Sequence, residues 1–255
     1  MQDIKELTIR ELEEKLKSFG ANTYHARQIL SWIYKKAVLD FGGMSDLAQG
    51  LRDKLNENFY ISGLEIVKKL KSGDGTKKLL FKLKDGNLIE AVIIPAKDRV
   101  TGCVSTQAGC KFACRFCASG LSGFKRNLTC SEIIDEVLYL KKESLAGKLT
   151  HLVFMGIGEP LDNYTEVLKA AKIINSPLGL NIGARRITIS TSGVIPGIQK
   201  LADEGLQIEL SVSLHAADDL LRSKLMPINK KYPLTELIKA CKDYSAKTNR
   251  QITLE

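Results

Sequence analysis

The sequence predicts an α/β fold in which parallel strands alternate with helices and curl into a barrel, preceded by a small N-terminal helical domain and a short antiparallel β segment. Three patterns predict it. Apolar residues recur at helical spacing through residues 1–60, the period falls to two through residues 64–98, and from 99 to 255 near-apolar strand segments alternate with amphipathic helical ones. A chain of 255 residues is long enough to bury one large core and a smaller one.

In the N-terminal segment, I-R-E-L-E-E-K-L has helical apolar spacing, and A-R-Q-I-L-S-W-I-Y-K-K sets Ile29, Trp32 and Ile33 along one face. These three read as core, Trp32 included, while Arg27, Lys35 and Lys36 are candidate contacts for an anionic partner. L-E-I-V-K-K-L, K-K-L-L-F-K-L and L-I-E-A-V-I-I-P then alternate as strands, with S-G-D-G-T and K-D-G-N between them as hairpin turns. Glu90 lies in the third strand. Alternation points it either to solvent or into a cavity, where apolar surroundings would raise its pKa and suit it to act as a base.

R-V-T-G-C-V-S-T-Q opens the alternating region. Thr129 and Glu132 form a capping-box pattern at the start of the helix S-E-I-I-D-E-V-L-Y-L-K-K, and T-H-L-V-F-M-G-I-G-E gives the next strand. Helices near 165–175, 196–204 and 233–247 each lead into a strand: R-R-I-T-I-S-T-S-G, Q-I-E-L-S-V-S-L-H and R-Q-I-T-L-E. Near-apolar strands separated by helices imply a parallel sheet buried on both faces. Right-handed crossovers then gather the active groups at the strand C-terminal ends.

Those ends read M-G-I-G-E-P, S-T-S-G and S-L-H-A. Gly156 and Gly158 would let backbone approach a ligand closely, Glu159 offers a carboxylate to an ammonium group or ribose hydroxyls, and His215 is a candidate general base. Ordinary turn residues are the competing reading. Beside them lies G-C-K-F-A-C-R-F-C-A-S-G, with Cys110, Cys114 and Cys117 at C-x3-C-x2-C spacing. A four-iron cluster takes four thiolates, so three leave one iron open. S-adenosylmethionine can bind there through its amino and carboxylate groups and be cleaved to a carbon radical by an electron from the cluster. Structural zinc would need a fourth ligand, for which Cys103 is the nearest thiol, and a disulfide framework belongs to a secreted scaffold.

Lys and Arg outnumber Asp and Glu by 38 to 29, a net charge of +9, which suits an anionic partner such as nucleic acid. No apolar run reaches the roughly 18 residues of a membrane span, and the N-terminal M-Q-D-I-K-E-L is charged. The expectation is a soluble, cytoplasmic protein with no membrane partner.

The motifs T-G-C-V-S-T-Q-A-G-C-K-F-A-C-R-F-C-A-S-G, G-F-K-R-N-L-T, M-G-I-G-E-P-L-D-N, R-R-I-T-I-S-T-S-G, S-V-S-L-H-A and K-L-M-P-I-N-K-K-Y-P occur in this order along nearly the whole chain. In them the chain resembles the RlmN/Cfr family of radical-SAM RNA methyltransferases. The resemblance implies a [4Fe-4S] cluster on Cys110, Cys114 and Cys117, and S-adenosylmethionine held at Gly158, Glu159, Ser190, Ser213, Leu214 and His215. It implies Glu90 as proton acceptor and Cys103 as the cysteine that resolves a protein–RNA link. In the family, one cofactor molecule methylates a C-terminal cysteine; a second yields the 5′-deoxyadenosyl radical, which takes hydrogen from that methyl group. The resulting thiomethylene radical adds to an adenine carbon.

The target implied is adenosine C2 in 23S rRNA and in tRNA beside the anticodon, with Cfr-like C8 methylation as the alternative. An electron donor such as flavodoxin or ferredoxin is implied too. The chain departs from the family at Q-I-T-L-E. Residues 99–255 are therefore expected to form a partial radical-SAM barrel, incomplete at its C-terminus, without the methyl-accepting cysteine or a further cofactor-binding asparagine. Cys130 and Cys241 lie in helical patterns and are no substitute, so methyl transfer by residues 1–255 alone is expected to fail. Two other classes are a [4Fe-4S] electron-transfer protein, which needs four protein ligands, and a zinc-stabilised RNA-binding module.

Overall fold

The computed structural model describes residues 1–144 and 147–255. Its N-terminal region runs from β1 (Gln2–Asp3) through α1 (Ile9–Ser18), α2 (His25–Tyr34) and α3 (Gln49–Asn58) to β2 (Phe59–Tyr60), and β1 pairs in parallel with β2. Helix α1 begins at a capping box, with Thr8 and Glu11 each accepting the other's backbone N–H. Leu12, Leu16, Ala26, Ile29 and Ile33 are fully buried between these helices. Trp32 departs from the expected core position. It is half-buried, because its indole N–H needs a partner: it donates to Asp46, while Lys36 Nζ sits 3.1 Å from the ring centroid.

Three antiparallel strands follow: β3 (Glu65–Lys71), β4 (Lys77–Lys82) and β5 (Leu88–Pro95). Both hairpin turns take their shape from Asp-Gly. Asp74 and Asp85 accept the N–H two residues on, and Gly75 and Gly86 adopt φ of 87° and 85°. Strand β5 pairs with β6 (Val100–Cys103), so the antiparallel strands extend the main sheet.

The chain then passes through β7 (Gln107–Ala108), a short α4 (Ala118–Leu121) and β8 (Arg126–Asn127), where β7 pairs with β8, to reach α5 (Cys130–Glu143). Thr129 and Glu132 cap α5 as the sequence predicts. The remaining elements alternate: β9 (His151–Phe154), α6 (Tyr164–Asn175), β10 (Ile187–Thr191), α7 (Ile195–Asp203), β11 (Glu209–Val212), α8 (Asp219–Leu225), α9 (Leu234–Thr248) and β12 (Ile252–Leu254). The eight-stranded sheet has the order β12-β11-β10-β9-β6-β5-β4-β3, parallel from β12 to β6 and antiparallel beyond. This is the expected α/β fold with a partial barrel.

The two faces of the sheet differ, which corrects the expectation of strands buried on both sides. Leu152, Ile187, Ile189, Leu210 and Val212 are buried. On that side Gly102 of β6 is glycine because α5 crosses close by: a Cβ there would lie 3.0 Å from Leu140 Cδ1. The opposite, concave side carries Val153, Thr188 and Ser190 half-buried. Alternation survives because helices cover only one face. The N-terminal region is pinned to α5 by Lys5, fully buried, whose Nζ reaches Asp135 Oδ1 at 2.5 Å and Ser62 Oγ at 2.8 Å. No helix is long and apolar enough to cross a membrane, among the described residues.

Candidate functional site

The cysteine loop leaves the sheet after β7 and is clamped where it returns. Lys125 N–H donates to Ala108 O at 2.8 Å, and Gly109 adopts φ of 75° with its α-carbon against the returning strand. A Cβ at Gly109 would lie 1.7 Å from Gly123 O, so only glycine fits. Further along, Cys117 N–H donates to Cys114 O, and Arg115 N–H donates to Leu225 O at 2.9 Å, docking the loop on the end of α8. Cys110, Cys114 and Cys117 are free, half-buried thiols. They open onto one cleft of about 220 Å³, shared with Gly158, Glu159, Ser190 and Ser213.

Burial pushes the Cys114 thiol up to about 11, with Cys110 and Cys117 adding to the effect, and burial also raises Cys110. A low-dielectric pocket crowded with thiols resists ionisation until a cation shares it, the environment expected of metal-binding sulfur. Among the described residues, no three His, Cys, Asp or Glu side chains converge closely enough to hold a single metal ion. Nor does a fourth Cys or a His line the cleft. Three thiols on one loop are the donor set of a four-iron cluster with one corner left to another ligand.

The strand ends are held by the chain itself more than the sequence suggests. A Cβ at Gly156 would meet Val104 C at 2.7 Å, and one at Gly158, which has φ of 109°, would meet Gln107 Cβ at 2.6 Å. Both glycines thus serve close packing of the β9 end against the segment after β6. Glu159 is buried, and its carboxylate accepts from Ser192 N–H and Ser192 Oγ, both at 2.7 Å, and from Leu161 N–H at 3.1 Å. Burial raises its pKa, and those hydrogen bonds oppose the rise.

Leu214 and His215 stand just past the cleft, where both N–H groups donate to Glu255 O at 2.9 Å. His215 has φ of 56°, and its ring meets Phe116 edge-on at 4.6 Å between centroids, an aromatic contact rather than the proton-transfer contact of a general base.

Glu90 and Cys103 lie outside the cleft but on the concave side of the same sheet. Val92 is directly opposite Cys103, and Glu90 is two residues along β5 from Val92, so the three share a face. Glu90 is half-buried, not enclosed in an apolar cavity, and Lys78 Nζ lies 2.9 Å from its Oε1. Cys103 is pushed up to about 11 by burial, with Glu136 adding and the Met155 N–H opposing.

Three further residues shape the site and carry no signal in the sequence reading. Ser105 Oγ donates to Glu90 O at 2.7 Å and accepts from Ile157 N–H at 3.0 Å, tying the Glu90 strand to the G-I-G-E turn. Gln107, fully buried, accepts from Glu159 N–H and donates to Asn127 and Asp162. Arg222 on α8 is fully buried: Nε donates to Leu214 O, Nη1 to Asn229 Oδ1, and Nη2 to Ser192 O and Ser213 O. In L-L-R-S-K-L, Arg222 reads as one more solvated cation, and only an isolated buried Gln before the cysteine loop could have hinted at Gln107.

Comparison with known proteins accords with this geometry. The Radical SAM superfamily model matches residues 104–254, and that of the ribosomal RNA large subunit methyltransferase N-terminal domain matches residues 2–61. A probable dual-specificity RNA methyltransferase RlmN of Thermoanaerobacter sp. (strain X514) is 51% identical over 256 residues, covering 100% of this chain and 74% of that protein. The chain belongs to the RlmN family of radical SAM methyltransferases.

A Clostridium perfringens (strain SM101 / Type A) member of the RlmN family is 47% identical over the same span. The crystal structure of a radical SAM methyltransferase from Sphaerobacter thermophilus superposes with a TM-score of 0.94 at 42% identity, covering 100% of this chain and 75% of that one. Radical SAM enzymes use a [4Fe-4S] cluster and S-adenosylmethionine, and the three-thiol loop of this family member fits that pair: three sulfur donors, an open corner, and strand ends alongside.

Proposed function

We propose that this protein methylates C2 of adenosine in RNA, with 23S rRNA and tRNA beside the anticodon as its substrates. The observation that carries the reading is the single cleft in which Cys110, Cys114 and Cys117 meet Gly158, Glu159, Ser190 and Ser213. Relatives named as dual-specificity RNA methyltransferases, and the net charge of +9, favour RNA as the partner. The three cysteines would hold the [4Fe-4S] cluster. The strand ends at Gly158, Glu159, Ser190, Ser213, Leu214 and His215 would seat S-adenosylmethionine. Bound together, the two supply the carbon radical that makes an sp2 adenine carbon reactive.

In this reading Glu90 takes the proton from the base carbon. Its pairing with Lys78 holds the side chain on the concave face. Cys103, held as a thiol on that face, resolves the protein–RNA link. Cys130 and Cys241 are buried in α5 and α9, so neither is placed to accept a methyl group. The N-terminal helices, with Arg27, Lys35 and Lys36, would contact RNA away from the target base; Lys35 and Lys36 share a groove with Lys141 and Lys142. A flavodoxin or ferredoxin would deliver the electron.

Two measurements test the reading. Anaerobically reconstituted chain 1–255 is expected to bind about four irons per protein and to cleave S-adenosylmethionine under reduction. Disrupting the gene in its host is expected to remove 2-methyladenosine from rRNA and tRNA digests. Loss of 8-methyladenosine instead would overturn the C2 assignment.

A further inference from the structure

The cysteine loop carries more exposed apolar surface than its role as a ligand loop requires. Leu121 is 84% exposed and Phe124 40%, within eight residues of Phe116, which lines the cleft itself. Scattered exposed apolar residues need no explanation, but a cluster beside a site does. Each phenylalanine of the loop also has a cation next to it in the chain: Lys111–Phe112, Arg115–Phe116 and Phe124–Lys125. Lys111, Arg115 and Lys125 are exposed. Lys111 Nζ sits 5.6 Å from the Phe112 centroid and 5.9 Å from that of Phe124, so one ammonium group spans two rings while pairing with Asp162.

The loop is held rigidly beneath these side chains. The Gly109–Gly123 contact, the β7–β8 pair and the Arg115–Leu225 hydrogen bond fix its backbone. A rigid platform of rings interleaved with cations matches one ligand chemistry closely: unpaired nucleotides, whose bases offer flat apolar faces and whose phosphates sit at every step. Duplex RNA would meet the cations but keep its base faces covered, and a protein would need a carboxylate placed beside each ring to match what a single strand repeats at every nucleotide.

We propose that the rim formed by Leu121 and Phe124, with Arg115 and Lys125, binds the single-stranded nucleotides flanking the target adenosine. The rim stacks their bases and holds the target base out of its helix above the cleft. This rests on the RNA reading above and adds to it the place and form of recognition. Phe124 is the central ring, because it is apart from the three thiols in sequence and lies against Lys111.

The test uses the cluster-loaded protein and two fluorescein-labelled probes, a 20-nucleotide single-stranded RNA and the same strand annealed to its complement. The wild-type protein is expected to prefer the single strand. Phe124→Ala should weaken single-strand binding roughly ten-fold, as loss of one base–aromatic stack does. Lys125→Gln should lower the slope of log affinity against log salt by about 0.7. Iron content, measured in each variant, shows that the loop is intact.

Phe124→Trp should retain binding, and its emission, read against that of Trp32, the chain's sole native tryptophan, should be quenched by the single strand. Binding by Phe124→Ala within two-fold of wild type would overturn the proposal while leaving RNA as substrate. So would unquenched Phe124→Trp emission at saturation. Sedimentation showing that Phe124→Ala dissolves a dimer without affecting RNA affinity would assign the rim to a second copy of the chain and overturn it too. A wild-type protein with no affinity for either probe would bring down the RNA reading itself.

Discussion

Arg222→Met tests whether the cleft is built around a buried cation. The guanidinium donates to the carbonyls of Leu214, Ser192 and Ser213 and to the Asn229 side chain at 2.8–3.1 Å, and the side chain is 0% exposed. Methionine fills similar space with no donor, so three carbonyls at the ends of β10 and β11 and the buried Asn229 Oδ1 lose their partner. Each unpaired buried acceptor costs about 1–3 kcal/mol, or roughly 4–12 kcal/mol for the four. Against this stands the cost of burying a guanidinium with no carboxylate in contact, several kcal/mol that methionine does not incur.

The expected net loss is about 3 kcal/mol, which for a chain of this size lowers Tm by roughly 6–12 °C. Urea denaturation measures it, with an unchanged slope as the check that the unfolded state is the same. The cleft should suffer beyond global stability, because Ser213 and the Ser192 that holds Glu159 both lose their anchor. Equilibrium binding of S-adenosylmethionine at a temperature where the variant is folded should be at least ten-fold weaker. Arg222→Lys should recover only part of each loss, since an ammonium group cannot reach the same forked set of acceptors. A methionine variant within 1 kcal/mol of wild type, with unchanged cofactor affinity, would refute the reasoning.

Three further outcomes are expected. Cys114→Ser should abolish the iron-dependent absorption of the reconstituted protein while Cys103→Ala retains it; equal loss in both would mean four protein ligands and return the electron-transfer class. Gly158→Ala should weaken S-adenosylmethionine binding several-fold, because its Cβ would fall 2.6 Å from Gln107 Cβ at a φ of 109° that alanine resists; calorimetric titration reads it, and wild-type affinity would contradict the packing described. Iodoacetamide labelling of Cys103, followed by peptide mass mapping, should be slow at neutral pH. It should rise about ten-fold per pH unit toward a midpoint near 11, because a thiol whose pKa is raised stays protonated until then; a plateau by pH 9 would show an ordinary thiol.

Much of the site was legible because its signals are local. The cysteine spacing, the Thr129 and Glu132 cap, the Asp-Gly turns and the small polar strand ends each lie within a few consecutive residues, and each has one dominant physical meaning. The reading failed where meaning depended on a partner far along the chain. Trp32 reads as core by helical spacing, yet Asp46 draws its indole toward the surface. Gly156 and Gly158 line the cleft, as their place at a strand end suggests, but what forbids a side chain there is the room they make for Val104 and Gln107. For Glu90, alternation allows solvent or cavity, and its Lys78 partner and a sheet face that helices leave uncovered make the choice.

By itself, then, the sequence determined the order of strands and helices, the loop that gathers three thiols, and the strand ends that turn toward it. These follow from hydrophobic period and turn chemistry, which act over a handful of residues. Only the tertiary structure decided that the antiparallel strands continue the parallel sheet, so that Glu90 and Cys103 share its concave face. It alone buried Arg222 beneath the strand ends and left Leu121 and Phe124 exposed on the cysteine loop. Strand register and burial are properties of pairs brought together across 10 to 60 residues of chain, and no local pattern encodes which side chain will meet another, or water, once those pairs have formed.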